Sequence, residues 1–95
     1  MSATYNLETV KELIRKERYR ITMVASNGAI EMGMNDADIL KAVMLLSSSH
    51  FYKTMPSEKI ASLWQDVYHI TYNGYTVYLK LQITDNAIII SFKEK

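Results

Sequence analysis

From Trp64 onward the apolar side chains switch to a period of two, and the run is punctuated by the dipeptides Asn73-Gly74 and Asp85-Asn86. Alternation of this kind builds strands with one buried face, and both dipeptides suit tight turns whose twist matches paired strands. The pattern predicts three antiparallel strands at 64–72, 75–84 and 87–94. Taking each dipeptide as a two-residue turn sets the register. His69 then faces Tyr78 and Val67 faces Lys80 across the first turn. Across the second, Tyr78 faces Lys93, Leu79 faces Phe92, Leu81 faces Ile90 and Ile83 faces Ile88. A slip of one residue would turn the apolar members of these pairs to water, at roughly 1.5 to 3 kcal/mol for each side chain. The opposite face should carry Gln65, His69, Tyr78, Lys80, Gln82, Ser91 and Lys93. Asp66 is the misfit: it falls on the apolar side near Leu81, where it needs a sheet margin or a partner at a helix end.

The first half of the chain follows a helical period. In NLETVKELIRKER (6–18), Leu7, Val10, Leu13 and Ile14 share one stripe, Asn6 is a suitable cap, and Glu12 stands four residues before Lys16. Arg15, Lys16, Arg18 and Arg20 gather at the far end, where they complement the helix dipole or contact phosphate. Residues 21–34 suit either a short strand or a helix interrupted near Gly28, with the helix favoured. Asn35 caps the next helix, with Asp36 and Asp38 in its first turn and Ile39, Leu40, Val43, Met44 and Leu45 on its apolar face. Methionines at these spacings are core filler. After Ser47, Ser48 and Ser49 comes HFYKTM, then an exposed loop, PSEKIAS, opened by the only proline. Helices first and a meander afterwards predict an α+β fold, with N-terminal helices packed on one face of a C-terminal antiparallel sheet.

Composition narrows the function classes. A chain of 95 residues, 48% hydrophobic and 22% charged, fits one globular domain over 1–95. A net charge of +1 supplies no global field for nucleic acid or anionic membrane, so such affinity has to come from a local patch. With no cysteine there are no disulfides or thiolate metal sites. No segment approaches the roughly 20 apolar residues of a membrane span, and the first residues lack the apolar run of a secretory signal, so a cytoplasmic protein without membrane contact is expected.

The polar sheet face carries ammonium groups, a phenol, an imidazole and amides on rigid strands, a set that suits a phosphodiester. Cleaving RNA through its own 2′-hydroxyl needs a proton acceptor, a donor for the leaving 5′-oxygen, and cations for the charge on phosphorus. Lys80 or Lys93 supplies charge, His69 titrates near neutrality, and Tyr78 donates a proton or a hydrogen bond; it acts as a base only if lysines lower its pKa. The same residues are also ordinary choices for a solvated strand face, and chemistry alone leaves both readings open.

HFYKTM, LWQDVY, VYLK and SFKEK, in this order and at these separations, resemble the MqsR family, the motility quorum-sensing regulator toxins of bacterial toxin–antitoxin systems. The likeness is close over 50–95, and over 1–49 lies mainly in length and helical pattern. It implies a RelE/YoeB-like fold and a ribosome-independent, metal-independent mRNA endoribonuclease acting on single-stranded RNA at GCU-type triplets. It also implies a cognate antitoxin with a zinc-binding domain and a helix-turn-helix domain. The zinc belongs to that partner, and no metal or cofactor is implied for this chain.

The family's catalytic set carries over to Lys53 in FYK, Gln65 in WQDVY, Tyr78 in VYLK and Lys93 in FKEK. Tyr52, His69 and Lys80 are expected RNA contacts, although Tyr52, like Tyr68, Tyr72 and Tyr75, also suits a core or sheet-surface role. His50 is expected only to cap or to be exposed. Gln65, opposite Gln82, lies about 13 Å along the sheet from the Tyr78 row. A bulge or a long substrate footprint has to close that gap, or Gln65 contacts a neighbouring nucleotide. Two features depart from the family pattern: His69 stands where a family member carries arginine, and the overall charge is less basic. The rival expectation is a non-catalytic RNA-binding or antitoxin-binding module on the same fold.

Overall fold

In a computed structural model of the chain, which describes residues 2–95, the three alternating segments form a meander of Trp64–Tyr72 (β3), Tyr75–Ile83 (β4) and Ala87–Glu94 (β5). Two further strands flank it. Phe51–Pro56 (β2) pairs antiparallel with β3, and Tyr19–Ile21 (β1) pairs parallel with β5, giving the order β1-β5-β4-β3-β2. The expected antiparallel meander is therefore the centre of a five-stranded mixed sheet.

Three helices supply the second layer of this α+β fold. Leu7–Arg15 (α1) starts where the Asn6 side chain accepts from the Thr9 N–H at 3.1 Å. It ends before Glu17, whose left-handed φ of 59° turns the chain into β1. Thr22 caps Met23–Glu31 (α2), accepting from Ala25 N–H. A reciprocal box between Asn35 and Asp38, each bond 3.1 Å, starts Asp36–Leu45 (α3). Val10, Ile14, Ala25, Ala29, Ile39 and Val43 from these helices bury against Tyr68, Ile70, Val77, Leu79, Leu81, Ile89 and Phe92 of the sheet.

Gly28 does not interrupt α2. Where β1 ends, Thr22 donates its N–H to Ile89 O and its hydroxyl to Ile90 O, and α2 continues along β5 in place of a strand. A Cβ on Gly28 would stand 1.9 Å from the Phe92 carbonyl oxygen, so only glycine allows this approach.

The β3–β4 register is as predicted throughout, from Asp66↔Leu81 to Tyr72↔Tyr75. The β4–β5 register is as predicted only at its outer end, where Tyr78 faces Lys93, Leu79 faces Phe92 and Lys80 faces Ser91. Nearer the turn, Leu81 faces Ile89 and Ile83 faces Ala87, not Ile90 and Ile88. The connection uses Thr84 as well as Asp85 and Asn86, with Thr84 N–H donating to Asn86 O. A bulge beyond Lys80 then restores the register. Ala87 and Ile89 therefore join the core, and Ile88 and Ile90 turn to the other face.

Asp66 is fully buried and finds its partners at a helix start. Its Oδ1 accepts from Thr4 N–H at 3.0 Å and its Oδ2 from Tyr5 N–H at 2.8 Å, fixing the chain just before α1. The neighbouring Tyr5 hydroxyl donates to Trp64 O at 2.6 Å.

Candidate active site on the open sheet face

The face of the sheet turned away from the helices carries the expected residues. Register places His69, Tyr78 and Lys93 side by side on β3, β4 and β5, and Lys53, Val67, Lys80 and Ser91 in the adjoining row. Lys53 reaches this face because HFYKTM is a strand. A bulge between Phe51 and Lys53 leaves Tyr52 as the extra residue, so Tyr52 and Lys53 both point to the same side.

These side chains form a continuous band. The Tyr52 ring stacks on His69 with centroids 4.2 Å apart, and His69 lies 6.0 Å from the Tyr78 ring. The Lys53 ammonium is 5.6 Å from the Tyr52 centroid and the Lys93 ammonium is 5.1 Å from that of Tyr78, both within cation–π range. A phenol, an imidazole and two lysines thus share one surface. Tyr68 is sealed in the core, and Tyr72 and Tyr75 pack against it, so of the four tyrosines considered as base-stacking platforms only Tyr52 joins the band. His50 accepts the Ser47 N–H through Nδ1 at 3.0 Å and caps the short 3-10 turn Ser48–His50.

Protonation states follow from partial burial. Desolvation lowers the pKa of His69 below the ordinary 6.5, with Lys95 and Lys53 adding to the shift. A neutral imidazole at pH 7 is a proton acceptor. Tyr78 moves the other way: desolvation, and then Tyr52, raise it above 10.0, so the condition under which it would act as a base is not met. Its hydroxyl stays protonated and acts as a donor. Burial also lowers the Lys80 ammonium from 10.5; Glu58 opposes that shift, and Lys93 and Lys53 add to it.

Gln65 lies apart from the band. It sits beside Gln82, its Nε2 donating to Gln82 Oε1 at 3.2 Å, four residues along β4 from Tyr78. Neither bulge falls between β3 and β4, so the separation of about 13 Å persists. Gln65 instead lines a cleft with Gln82, Lys80, Arg20, Ile88 and Ile90, to which residues 57–60 also contribute. Sequence reasoning placed Gln82 on this face without a role and missed the two isoleucines, which it assigned to the core. Arg20 appeared only as one of four basic residues, since nothing local signals that β1 brings it to the cleft. Arg18 serves the fold, donating to Asp85 O and Asn86 Oδ1 at the β4–β5 turn. Among the described residues, no group of three or more His, Cys, Asp and Glu side chains is arranged to hold a metal ion.

Comparison with known proteins identifies the family. The profile of the family described as "Motility quorum-sensing regulator, toxin of MqsA" matches residues 2–94. The mRNA interferase toxin MqsR of Escherichia coli (strain K12) is 36% identical over 89 residues, covering 94% of this chain and 91% of that protein. The chain belongs to the motility quorum-sensing regulator family of toxins.

Proposed function

We propose that the chain is a toxin endoribonuclease that cleaves single-stranded mRNA by attack of a ribose 2′-hydroxyl on the adjacent phosphorus. The observation that carries this reading is the row of His69, Tyr78 and Lys93, open to solvent on rigid strands, with Lys53 on the same face. His69, neutral at pH 7, accepts the 2′-hydroxyl proton. The 2′-oxygen bonds to phosphorus, the bond to the 5′-oxygen breaks, and that oxygen takes the Tyr78 proton. Lys93 stabilises the resulting phenolate, Lys53 and Lys93 balance the charge on the phosphorane, and Lys80 adds to the field. The products are a 2′,3′-cyclic phosphate and a 5′-hydroxyl end. Tyr52 offers an aromatic surface to a base, and Gln65 holds a neighbouring nucleotide and does not touch the reacting phosphate.

In this reading the substrate sites are GCU-type triplets, the protein works in the cytoplasm, and a cognate antitoxin neutralises it. That antitoxin is a zinc-binding, helix-turn-helix protein, as the family resemblance suggests. The test is incubation of the purified chain with a defined RNA containing GCU, with magnesium and with EDTA. Equal cleavage in both, ending in a cyclic phosphate, is expected. Intact RNA that is nonetheless bound would mean a binding module and not an enzyme.

A further inference from the structure

Ile88 is only 7% exposed, yet it stands outside the main core, on the face that carries the lysines. The longer turn sets Ile88 on this face, Ile90 follows by strand alternation, and together they form the apolar floor of the cleft. Two isoleucines add nothing to the solubility of a charged face, and phosphate has no use for an apolar floor. Above them the Gln65 and Gln82 amides share one hydrogen bond. An amide has two N–H donors and an oxygen with two lone pairs, so each retains donors or acceptors for a ligand. Arg20, Lys80, Lys59 and the acidic Glu58 also line the cavity, whose volume is about 250 Å³. That lies below the roughly 300–1,000 Å³ of pockets for larger organic ligands. A planar group with a polar edge and an apolar face fits the amides and the floor of this lining.

We infer that the cleft reads a single nucleobase of the RNA, whose face lies on Ile88 and Ile90 and whose edge is hydrogen-bonded by Gln65 and Gln82, while Arg20 takes a phosphate at the mouth. The inference rests on the ribonuclease reading above. Along β4 the amide pair lies about 13 Å from Tyr78, several times the 3.4 Å step of stacked bases. The base in the cleft therefore belongs to a nucleotide a few positions from the cut, and its edge is readable because the RNA is unpaired. Gln82 is then a specificity residue outside the catalytic set.

The test is cleavage of an RNA pool randomised around one cut site, sequenced before and after treatment with the full chain. For Gln82→Leu, which keeps the bulk and removes the polar edge, base preference is expected to fall at least about tenfold at one position near the cut and to persist elsewhere. Gln82→Glu replaces the N–H donors by an acceptor with little change of shape, and is expected to alter which base is preferred there. Arg20→Gln, at an exposed position, should weaken binding of a 2′-deoxy substrate equally for all sequences and reduce the salt slope by about one. Both Gln82 variants cleaving with the wild-type profile, or slowing uniformly at every site, would overturn the inference alone. A pool left intact by the wild-type chain sinks the ribonuclease reading, and this inference with it.

Discussion

Gln65 and Asp66 are adjacent on β3, and they show how differently the two faces of one sheet treat polar groups. On the helix side, Asp66 is fully buried, and each carboxylate oxygen receives a backbone N–H. On the open side, the Gln65 side-chain amide bonds only that of its neighbour Gln82, and the ammonium groups of Lys53 and Lys93 lie over aromatic rings. A polar group that holds a fold uses up its hydrogen-bonding capacity inside the protein. One that meets a substrate keeps capacity in reserve. The contrast separates structural polarity from chemical polarity without reference to residue type.

The sharpest way to break that contrast is Tyr78→Phe. If the open face is chemical, cleavage should fall by about a hundred-fold to ten-thousand-fold in single-turnover assays with the melting temperature nearly unchanged. An unchanged rate would remove the phenol from the mechanism. Asp66→Asn should behave in the opposite way, because its amide nitrogen must face one of two buried N–H donors. A loss of about 1–3 kcal/mol in urea unfolding is expected, with cleavage per folded molecule preserved. Gly28→Ala affects both faces at once. The methyl group meets the Phe92 carbonyl, and forcing α2 off β5 should cost about 1–3 kcal/mol while disturbing the adjacent Lys93. A parallel decline in stability and rate checks it.

The smallest expected effect is in pH dependence. A general base must be uncharged, so the rate falls as pH drops through the folded-state pKa of His69, which lies below 6.5. Lys95→Met removes one of the charges that depress it and should move the acid limb upward, leaving the larger effect of desolvation in place. Persistence of that limb in His69→Gln would assign it to another group.

How much of this was legible in the sequence depends on how local each signal was. The β3–β4 pairing was fully legible, because Asn73-Gly74 forms the turn and alternation runs unbroken on both sides. Tyr78 and Lys93 were correctly paired for an incomplete reason. The second turn is one residue longer than its dipeptide suggests, and an extra residue in β5 cancels the offset before Lys80. Between turn and bulge the isoleucines were assigned to the wrong face, which hid the floor of the cleft. In β2 a bulge at Tyr52 breaks the alternation by which a strand is recognised, so HFYKTM carried its resemblance but not its secondary structure. β1 is three residues long, and its partner lies far along the chain. No local pattern announces such a strand. His69, Tyr78 and Lys93 sit on strands the pattern could place, whereas Lys53 sits on the bulged β2 and the cleft draws on β1, a loop and the longer second turn.

The span from Thr22 to its partner Ile90 is 68 residues. Contacts that close so long a loop form late, since its entropy is lost before the pairing returns anything. In a refolding chain the β4–β5 hairpin should therefore bring Tyr78 beside Lys93 before β1 docks and brings Arg20 to the cleft. An early intermediate would own the Tyr78–Lys93 pair and the cleft floor and still lack the arginine that grips a phosphate. Grip on the strand, not choice among bases, would be the last property the molecule acquires on folding.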